Sequence, residues 1–167
     1  MIELTDRVTA ADLAYIAENL PEKTLKEFGG DLPKEKAAEY KAAAQKTYIA
    51  YFDDKPAVFM GVAADGFVFV AATEAAKRRK REFLLLTREM LARTLDGRPY
   101  VWAVIPLWYE ETVRWCRWLG ARFHDRVEDP VMGRCVVITF CLADVVLGRG
   151  RKNGSRAGDN RDAVSDL

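Results

Sequence analysis

Histidine and cysteine are scarce in this chain of 167 residues, which contains one histidine and three cysteines. The single histidine, His124, leaves few ways to build a metal site, because histidine is the commonest metal ligand. The cysteines form no CxxC pair and their number is odd, so the pattern predicts neither a disulfide scaffold nor a cysteine-rich zinc site. We therefore expect a protein without a bound metal, in a reducing intracellular compartment.

Long hydrophobic runs are also missing, and no segment reaches the roughly 18 apolar residues of a transmembrane helix. The first six residues lack a basic segment followed by an apolar one, so no signal peptide is predicted. The 26 basic and 25 acidic residues nearly cancel, which argues against nucleic acid as the main partner and against an acidic disordered chain. These absences predict a soluble cytoplasmic protein.

Hydrophobic residues make up half of the chain, which is enough to form a core. We predict one α/β domain over residues 1–147 and a disordered polar tail over residues 148–167. The predicted strands lie at 2–8, 47–52, 57–62, 67–71, 100–105, 121–127 and 134–142. The predicted helices lie at 9–20, 34–47, 74–95 and 110–119, and the segment 21–34 is predicted to be mostly loop. Thr9 and Thr73 are the predicted N-caps of the helices that they precede or begin. Since a long helix joins strands 67–71 and 100–105, we expect these two strands to be parallel.

The segment Arg114–Phe123, with the sequence RWCRWLGARF, combines a helix end, a glycine and an aromatic residue at the start of a strand. Gly120 permits the chain to leave the helix in a left-handed conformation, and Phe123 is placed to pack on the sheet. This order resembles the helix-to-strand signature of the GNAT acetyltransferases. The sequence is also similar to a phage family of acetyltransferase-like proteins that includes internal virion proteins of short-tailed phages. The matching segments are Gly61-Val62, Phe69–Thr73, Arg78–Leu84, Tyr100–Trp102 and Val113–Phe123.

The resemblance implies an α/β fold with a mixed, centrally split β-sheet flanked by helices. It also implies that acetyl-CoA lies in the gap between strands 67–71 and 100–105, along the backbone of Phe69, Val70 and Ala71. The pyrophosphate is then expected at the start of the following helix, where free backbone N–H groups favour an anion. There the implied contacts are Arg78, Arg79, Lys80 and Arg81.

Five consecutive basic residues, Lys77–Arg81, lie near the start of the predicted helix 74–95. Cations are disfavoured at that end of a helix by roughly 0.3–1 kcal/mol each, and a bound anion would offset this cost. A solvated helix face with Glu82 as a partial neutraliser explains the run equally well. The family places a glycine-containing loop here, whereas residues 75–81 contain no glycine.

Two residues are candidates for catalysis. Acetyl transfer to an amine needs a base for the ammonium and an acid for the leaving thiolate. Tyr109 lies close to the place where the resemblance implies an acid, and Glu110 is a candidate base or amine-binding group. The alternatives are an aromatic residue covering the sheet end for Tyr109 and an ordinary first-turn carboxylate for Glu110. His124 is interpreted as a structural or surface residue.

Two functions remain open from the sequence. The first is an N-acetyltransferase that transfers acetyl directly from acetyl-CoA to an amine acceptor. The second is a phage or prophage protein that has kept the fold without the chemistry and serves as a binding or virion-assembly module, with a phage or host protein as its partner. The missing glycines favour the second, and the basic cluster at the helix start favours the first.

Overall fold

Four antiparallel strands form the first sheet of the structure, a computed structural model that describes residues 1–30 and 34–147. The strands are β1 (Ile2–Thr5), β2 (Ala44–Phe52), β3 (Lys55–Ala63) and β4 (Val68–Ala72), in the spatial order β1-β2-β3-β4. Asp53 and Asp54 join β2 to β3 with φ angles of 50° and 64°. Two consecutive left-handed residues are the conformation of the tight hairpin turn that suits twisted strands.

A second antiparallel sheet contains β5 (Val101–Pro106), β6 (Arg122–Asp129) and β7 (Gly133–Phe140), in the order β5-β7-β6. The two sheets meet where Phe67 and Trp102 form one parallel bridge. There the Trp102 N–H donates to the Gly66 carbonyl at 3.0 Å. No other pairing between β4 and β5 occurs within residues 1–30 and 34–147, so the sheet is split at its centre. The predicted fold class is confirmed.

Seven helices are present among the described residues. They are α1 (Ala10–Glu18), α2 (Glu22–Glu27), α3 (Lys34–Ala43), α4 (Glu74–Arg78), α5 (Lys80–Thr94), α6 (Glu110–Trp118) and α7 (Leu142–Leu147). Alternate residues of the first sheet enter two hydrophobic clusters, since successive side chains point to opposite faces. Residues of α5, α6 and α7 complete one cluster, and residues of α1 and α3 complete the other. None of these helices combines the length and apolar character needed to cross a bilayer.

Three boundaries predicted from the sequence are wrong in the first third of the chain. The predicted loop 21–34 contains α2, which ends where Gly29 takes a φ of 82° and the Gly30 N–H donates to the Leu25 carbonyl. The predicted helix 34–47 ends at Ala43, because Ala44 already pairs with Ala63 of β3. The predicted strand 2–8 ends at Thr5.

The predicted helix 74–95 is broken at Arg79, where φ is −88° and ψ is 59°. Its N-cap is confirmed, because the Thr73 hydroxyl accepts a hydrogen bond from the Ala76 N–H at 3.2 Å. The break separates a short α4 from α5, and Arg79 is held there by ion pairs with Asp53 and Glu82. A uniform helix pattern in the sequence does not reveal such a break.

At the other end of the described chain, the predicted strand 134–142 ends at Phe140 and α7 follows. The Cys141 Sγ donates to the Asp144 carboxylate at 3.0 Å, and Arg122 of β6 pairs with the same carboxylate at 2.8 Å. These contacts fix α7 against the second sheet. The tail predicted to be disordered, residues 148–167, lies outside the described residues.

Candidate active site

The gap between β4 and β5 exposes one backbone edge of β4. The Ala63 N–H donates to the Phe67 carbonyl at 2.9 Å, and the Thr73 N–H donates to the Ala57 carbonyl at 2.9 Å. Between residues 67 and 73, the odd-numbered residues therefore direct their backbone N–H and C=O groups at β3. Because these groups alternate between the two edges of a strand, Val70 directs its N–H and C=O into the gap.

The three residues predicted to line the cofactor with their backbone are thus placed differently from one another. Val70 faces the gap. Phe69 and Ala71 pair with Gly61 and Phe59 of β3. A ligand that forms hydrogen bonds with this edge of β4 would therefore meet Val70 rather than its two neighbours.

A cleft of about 970 Å³ runs through the gap and continues between α2, α4 and α6. Apolar side chains from both sheets form most of its wall. The polar and charged side chains that line it include Thr24, Glu27, Lys77, Arg78, Lys80 and Tyr109. The cleft thus leads from an exposed strand edge to a cluster of groups that can bind and transfer protons.

Tyr109, Lys77 and Thr24 form the hydrogen-bonded centre of that cluster. The Lys77 ammonium donates to the Tyr109 hydroxyl oxygen at 2.6 Å and to Thr24 Oγ1 at 3.0 Å. The two hydroxyl oxygens lie 3.4 Å apart. Tyr109 is 2% exposed, so the cluster lies where water competes weakly for these bonds.

The position of Tyr109 follows from the turn that leaves β5. Pro106 closes the strand, and the Tyr109 N–H donates back to the Pro106 carbonyl at 3.2 Å. The ring of Trp108 stacks on that of Tyr109 with centroids 5.5 Å apart and planes 2° apart. Trp108 is itself held by a hydrogen bond from its indole N–H to the Met132 carbonyl at 2.8 Å. The phenol is therefore fixed at the end of the cleft.

Glu27 lies one turn after Thr24 on α2 and also lines the cleft. Burial raises the pKa of its carboxyl from 4.5 to about 7, and the nearby Lys77 charge opposes part of that rise. Glu27 in turn contributes to the raised pKa of the Cys116 thiol, for which burial is the main cause. The carboxyl therefore projects inward, between α4 and α6, with a proton affinity suited to exchange near neutral pH.

Of the four basic residues predicted to contact the pyrophosphate, two line the cleft and two do not. Arg78 and Lys80 are exposed and line the cleft, and Arg78 also pairs with Glu74 at 3.5 Å. Lys80 is the first residue of α5, whose N-cap Arg79 makes no side-chain capping bond. The start of α5 and two cations therefore meet at one rim of the cleft, where the helix dipole and the charges both favour an anion.

Arg79 and Arg81, the other two predicted contacts, do not line this cleft. The Arg79 guanidinium lies 4.9 Å from the Phe52 ring centroid and bonds to Asp53 at 3.0 Å. That interaction lowers the pKa of Asp53 further, after the larger effect of the N-terminal amino group. Arg79 is thus occupied in joining the helix break to the β2–β3 hairpin.

Glu110, the predicted second catalytic residue, is exposed in the first turn of α6 and does not line the cleft. Its neighbour Glu111 does line it and pairs with Lys23 of α2 at 3.7 Å. His124, interpreted as structural, is exposed on β6 and bonds through Nε2 to the Thr139 hydroxyl at 2.8 Å. Of the predicted pair, Tyr109 lines the cleft and Glu110 does not, and the buried carboxyl in the cleft is that of Glu27 on α2.

Aromatic side chains form the wall of the cleft on the side of α1 and α3. Tyr40 of α3 contacts Phe28 and Phe69, with ring centroids 6.1 and 5.2 Å apart respectively. Phe69 also contacts Phe59 at 5.7 Å and Phe67 at 6.4 Å. These rings form a continuous apolar surface next to the cluster that contains Glu27.

Sequence reasoning missed three residues of this site: Thr24, Glu27 and Lys77. Thr24 and Glu27 fall in the segment interpreted as a loop, so nothing indicated that they share a helix face. Their spacing of three residues, preceded by Pro21, was the available signal for a helical turn. Lys77 was counted with the basic run, although its side chain turns inward to Tyr109.

Comparison with solved structures identifies the fold. Ribosomal-protein-S18-alanine N-acetyltransferase from Escherichia coli matches with a TM-score of 0.65 and 13% identity, covering 96% of this chain and 98% of that chain. Aminoglycoside acetyltransferase AAC(6')-Ib, solved with coenzyme A, matches with a TM-score of 0.64 and 16% identity, covering 92% of this chain and 100% of that chain. The Salmonella typhimurium protein yncA, solved with its cofactor acetyl-CoA, has a TM-score of 0.61 and 15% identity, covering 95% of this chain and 98% of that chain.

The chain therefore has the GNAT acetyltransferase fold. No protein-family model matches its sequence, and no curated protein matches it either. The likeness is one of architecture at low sequence identity. The function must accordingly be argued from this chain's own residues.

Proposed function

We propose that this protein is an N-acetyltransferase that transfers the acetyl group of acetyl-CoA directly to an amine acceptor. The observation that carries the proposal is the course of the cleft: it begins at a free strand edge, passes a cationic helix start and ends at Tyr109, Lys77 and Glu27. The strand edge can bond to the arm of a thioester donor, and the cationic helix start can bind its phosphates. The cluster at the end can give and accept the protons that the transfer needs.

The described residues fit a CoA thioester. Val70 offers a backbone N–H and C=O to an amide-containing arm, and Arg78 and Lys80 lie at the start of α5, where the helix dipole favours phosphate. The absence of glycine from residues 75–81 does not close the rim, because Arg78 and Lys80 are exposed. Two of the solved structures with this fold contain coenzyme A or acetyl-CoA, which supports the same ligand here.

Acetyl-CoA would supply an activated acyl group whose carbonyl carbon accepts an amine nitrogen. The acceptor ammonium first loses a proton to Glu27, whose pKa of about 7 allows it to be ionised and basic at neutral pH. The Tyr109 hydroxyl gives its proton to the departing thiolate. Lys77 donates to the Tyr109 oxygen, so the hydroxyl hydrogen is left to point at another acceptor, and the positive charge of Lys77 stabilises the phenolate that forms.

The aromatic wall suggests how the rest of the acceptor is held. It lies on the side of α1 and α3 and includes the half-buried rings of Phe28, Tyr40 and Phe69. An amine attached to a flat apolar body would pack there while its nitrogen reaches Glu27. Removal of such a body from water contributes roughly 25 cal/mol for each Å² buried.

The second candidate is the module without chemistry, with a phage or host protein as partner, as the sequence resemblance implies. The absence of glycine before α5 favours it. The named solved structures are bacterial or aminoglycoside acetyltransferases and lend the phage context no support.

Calorimetric titration with acetyl-CoA separates the two functions. We expect saturable binding to the wild type and about tenfold weaker binding to the double variant Arg78→Glu, Lys80→Glu, since two phosphate contacts of about 0.3–1 kcal/mol each are reversed. Arg81→Glu is the control, because each of the three substitutions makes the same charge change and Arg81 lies outside the cleft. No binding heat at millimolar acetyl-CoA would refute the acetyltransferase and leave the binding module.

A further inference from the structure

Lys77 brings an amine of the protein itself into the reaction centre. Three lysines of the described residues line the cleft, namely Lys23, Lys77 and Lys80. Lys80 lies at the rim, and Lys23 is exposed, with its Nζ 5.8 Å from the Tyr109 ring centroid. Lys77 is half-buried and its nitrogen lies 2.6 Å from the Tyr109 oxygen. Its amine is therefore the nearest of the three to the group expected to protonate the leaving thiolate.

The surroundings of Lys77 match what an acceptor amine needs. On α2, the Thr24 hydroxyl accepts a hydrogen bond from the Lys77 nitrogen, and the Lys77 charge lies close enough to Glu27 to lower the pKa of that carboxyl. On α6, Tyr109 accepts a second hydrogen bond. Lys23 and Glu111, which also line the cleft, pair with each other. A nitrogen held between a base and an acid, in a cleft that fits an acetyl thioester, occupies the place of a substrate.

We propose that Lys77 is a self-acetylation site, modified by the protein's own acetyl donor when no external amine occupies the cleft. The proposal rests on the acetyltransferase function, and it identifies the ε-amine of Lys77 as an acetyl acceptor of the same site. Its chemistry is that of acyl transfer from an acetyl thioester, and it needs no further reactant.

The step balances as follows. The Lys77 ammonium gives one proton to Glu27 and becomes a neutral amine. Its nitrogen forms a bond to the acetyl carbon while the bond from that carbon to sulfur breaks, and the thiolate takes the Tyr109 proton to leave as a thiol. The second proton of the amine is lost to Tyr109 as the amide forms. The products are Nε-acetyl-Lys77, a free thiol and the protonated Glu27, which releases its proton to solvent.

Peptide mass spectrometry of the full chain after incubation with acetyl-CoA tests the site. Lys55, exposed beside the β2–β3 turn and remote from the cleft, reports the uncatalysed reaction in the same sample. We expect Lys77 to gain one acetyl group at least about a hundredfold faster than Lys55, the rate factor typical of positioned acid–base groups. In Glu27→Gln, the Lys77 rate should fall toward that of Lys55, while the Lys55 rate should stay unchanged.

The outcomes separate this proposal from the function on which it rests. Acetylation of Lys77 no faster than that of Lys55, in a protein that binds acetyl-CoA and acetylates added small amines, overturns self-acetylation alone. Equal Lys77 rates in the wild type and in Glu27→Gln also overturn it, because the modification is then uncatalysed. Absence of acetyl-CoA binding by calorimetry refutes both. Since the readout is a mass at one lysine, it does not depend on knowing the external acceptor.

Discussion

Glu27 shows how a single residue acquires a property that its sequence context does not display. Two carboxylates of α2, Glu22 and Glu27, have the same chemistry and both line the cleft, but Glu22 is exposed whereas Glu27 is largely buried. Burial then raises its pKa to about 7, against the opposing effect of Lys77. In the unfolded chain the carboxyl returns to its ordinary value of 4.5. The difference links this residue to both stability and activity.

The first prediction concerns stability. Between pH 4.5 and about 7 the folded state binds more protons at Glu27 than the unfolded state does, so this residue makes stability fall as pH rises through that window. The effect is complete above about pH 7 and amounts to about 3 kcal/mol at most. Glu27→Gln should remove it, because glutamine does not titrate. Urea unfolding measures the free energy of unfolding of both proteins at pH 5 and pH 8. The value for the variant, relative to that for the wild type, should be higher at pH 8 than at pH 5.

Glu22→Gln is the control for that experiment, since Glu22 lies exposed on the same helix. Its difference from the wild type should be the same at both pH values. If Glu27→Gln behaves like Glu22→Gln, the carboxyl of Glu27 is not buried as described, and its assignment as the base loses its main support.

At the scale of the element, short local signals predicted ends of helices well. Thr9 is the predicted cap of α1, and its side chain accepts from the Asp12 N–H; the structure adds a return bond, in which the Asp12 carboxylate accepts from the Thr9 N–H. Gly120 ends α6 with a φ of 90°. These signals succeed because a cap or a left-handed stop involves only residues within one turn.

Other elements were missed for an equally physical reason. The break at Arg79 depends on Asp53, which lies 26 residues earlier in the chain. The end of α3 at Ala43 depends on the pairing of Ala44 with Ala63. Contacts between distant segments decided both boundaries, and no local pattern contains them.

The second prediction concerns the turn after α6. An added Cβ at Gly120 would lie 2.9 Å from the carbonyl oxygen of Asp144, in addition to the cost of a left-handed backbone. We expect Gly120→Ala to lower the free energy of unfolding by about 2 kcal/mol or more, of which roughly 1–2 kcal/mol is the backbone cost. Gly97→Ala is the matched control, because Gly97 has a φ of 73° and no atom within 4 Å of its added Cβ.

Thermal or chemical unfolding of both variants measures the difference. The control should show the backbone cost alone. Equal losses for the two variants would mean that α7 does not approach Gly120 as closely as the structure indicates.

At the scale of the whole molecule, the split between the two sheets creates the site. The four-stranded and three-stranded sheets are each complete, and the bridge between Phe67 and Trp102 joins them at one end. Beyond it the edge of β4 is free where α4 and α6 bring Lys77 and Tyr109 together. A fully paired sheet would have satisfied this backbone and closed the cleft.

The third prediction concerns exchange of backbone amides with solvent. The Val70 N–H faces the gap, whereas the N–H groups of Phe69 and Ala71 are directed at β3. We therefore expect the amide of Val70 to exchange faster than those of its two neighbours, because it lacks a strand partner on that side. Added acetyl-CoA should slow exchange at Val70 selectively, which NMR measures residue by residue.

Slow exchange at Val70 in the free protein would show that β4 and β5 stay paired along their length. Protection that spreads evenly over all three amides would indicate general stiffening of the sheet rather than a ligand bound along this edge.

The sequence by itself determined the class of the fold, because the order of helix and strand periods, the helix starts at Thr9 and Thr73 and the helix end at Gly120 are local properties. The resemblance to the GNAT acetyltransferases pointed to Tyr109, since it lies close to the place where that family has an acid. Only the tertiary structure placed Glu27 and Lys77 beside that hydroxyl. The reason is physical: a proton-transfer site depends on distances and burial between side chains from three helices, and those arise only when distant segments pack together.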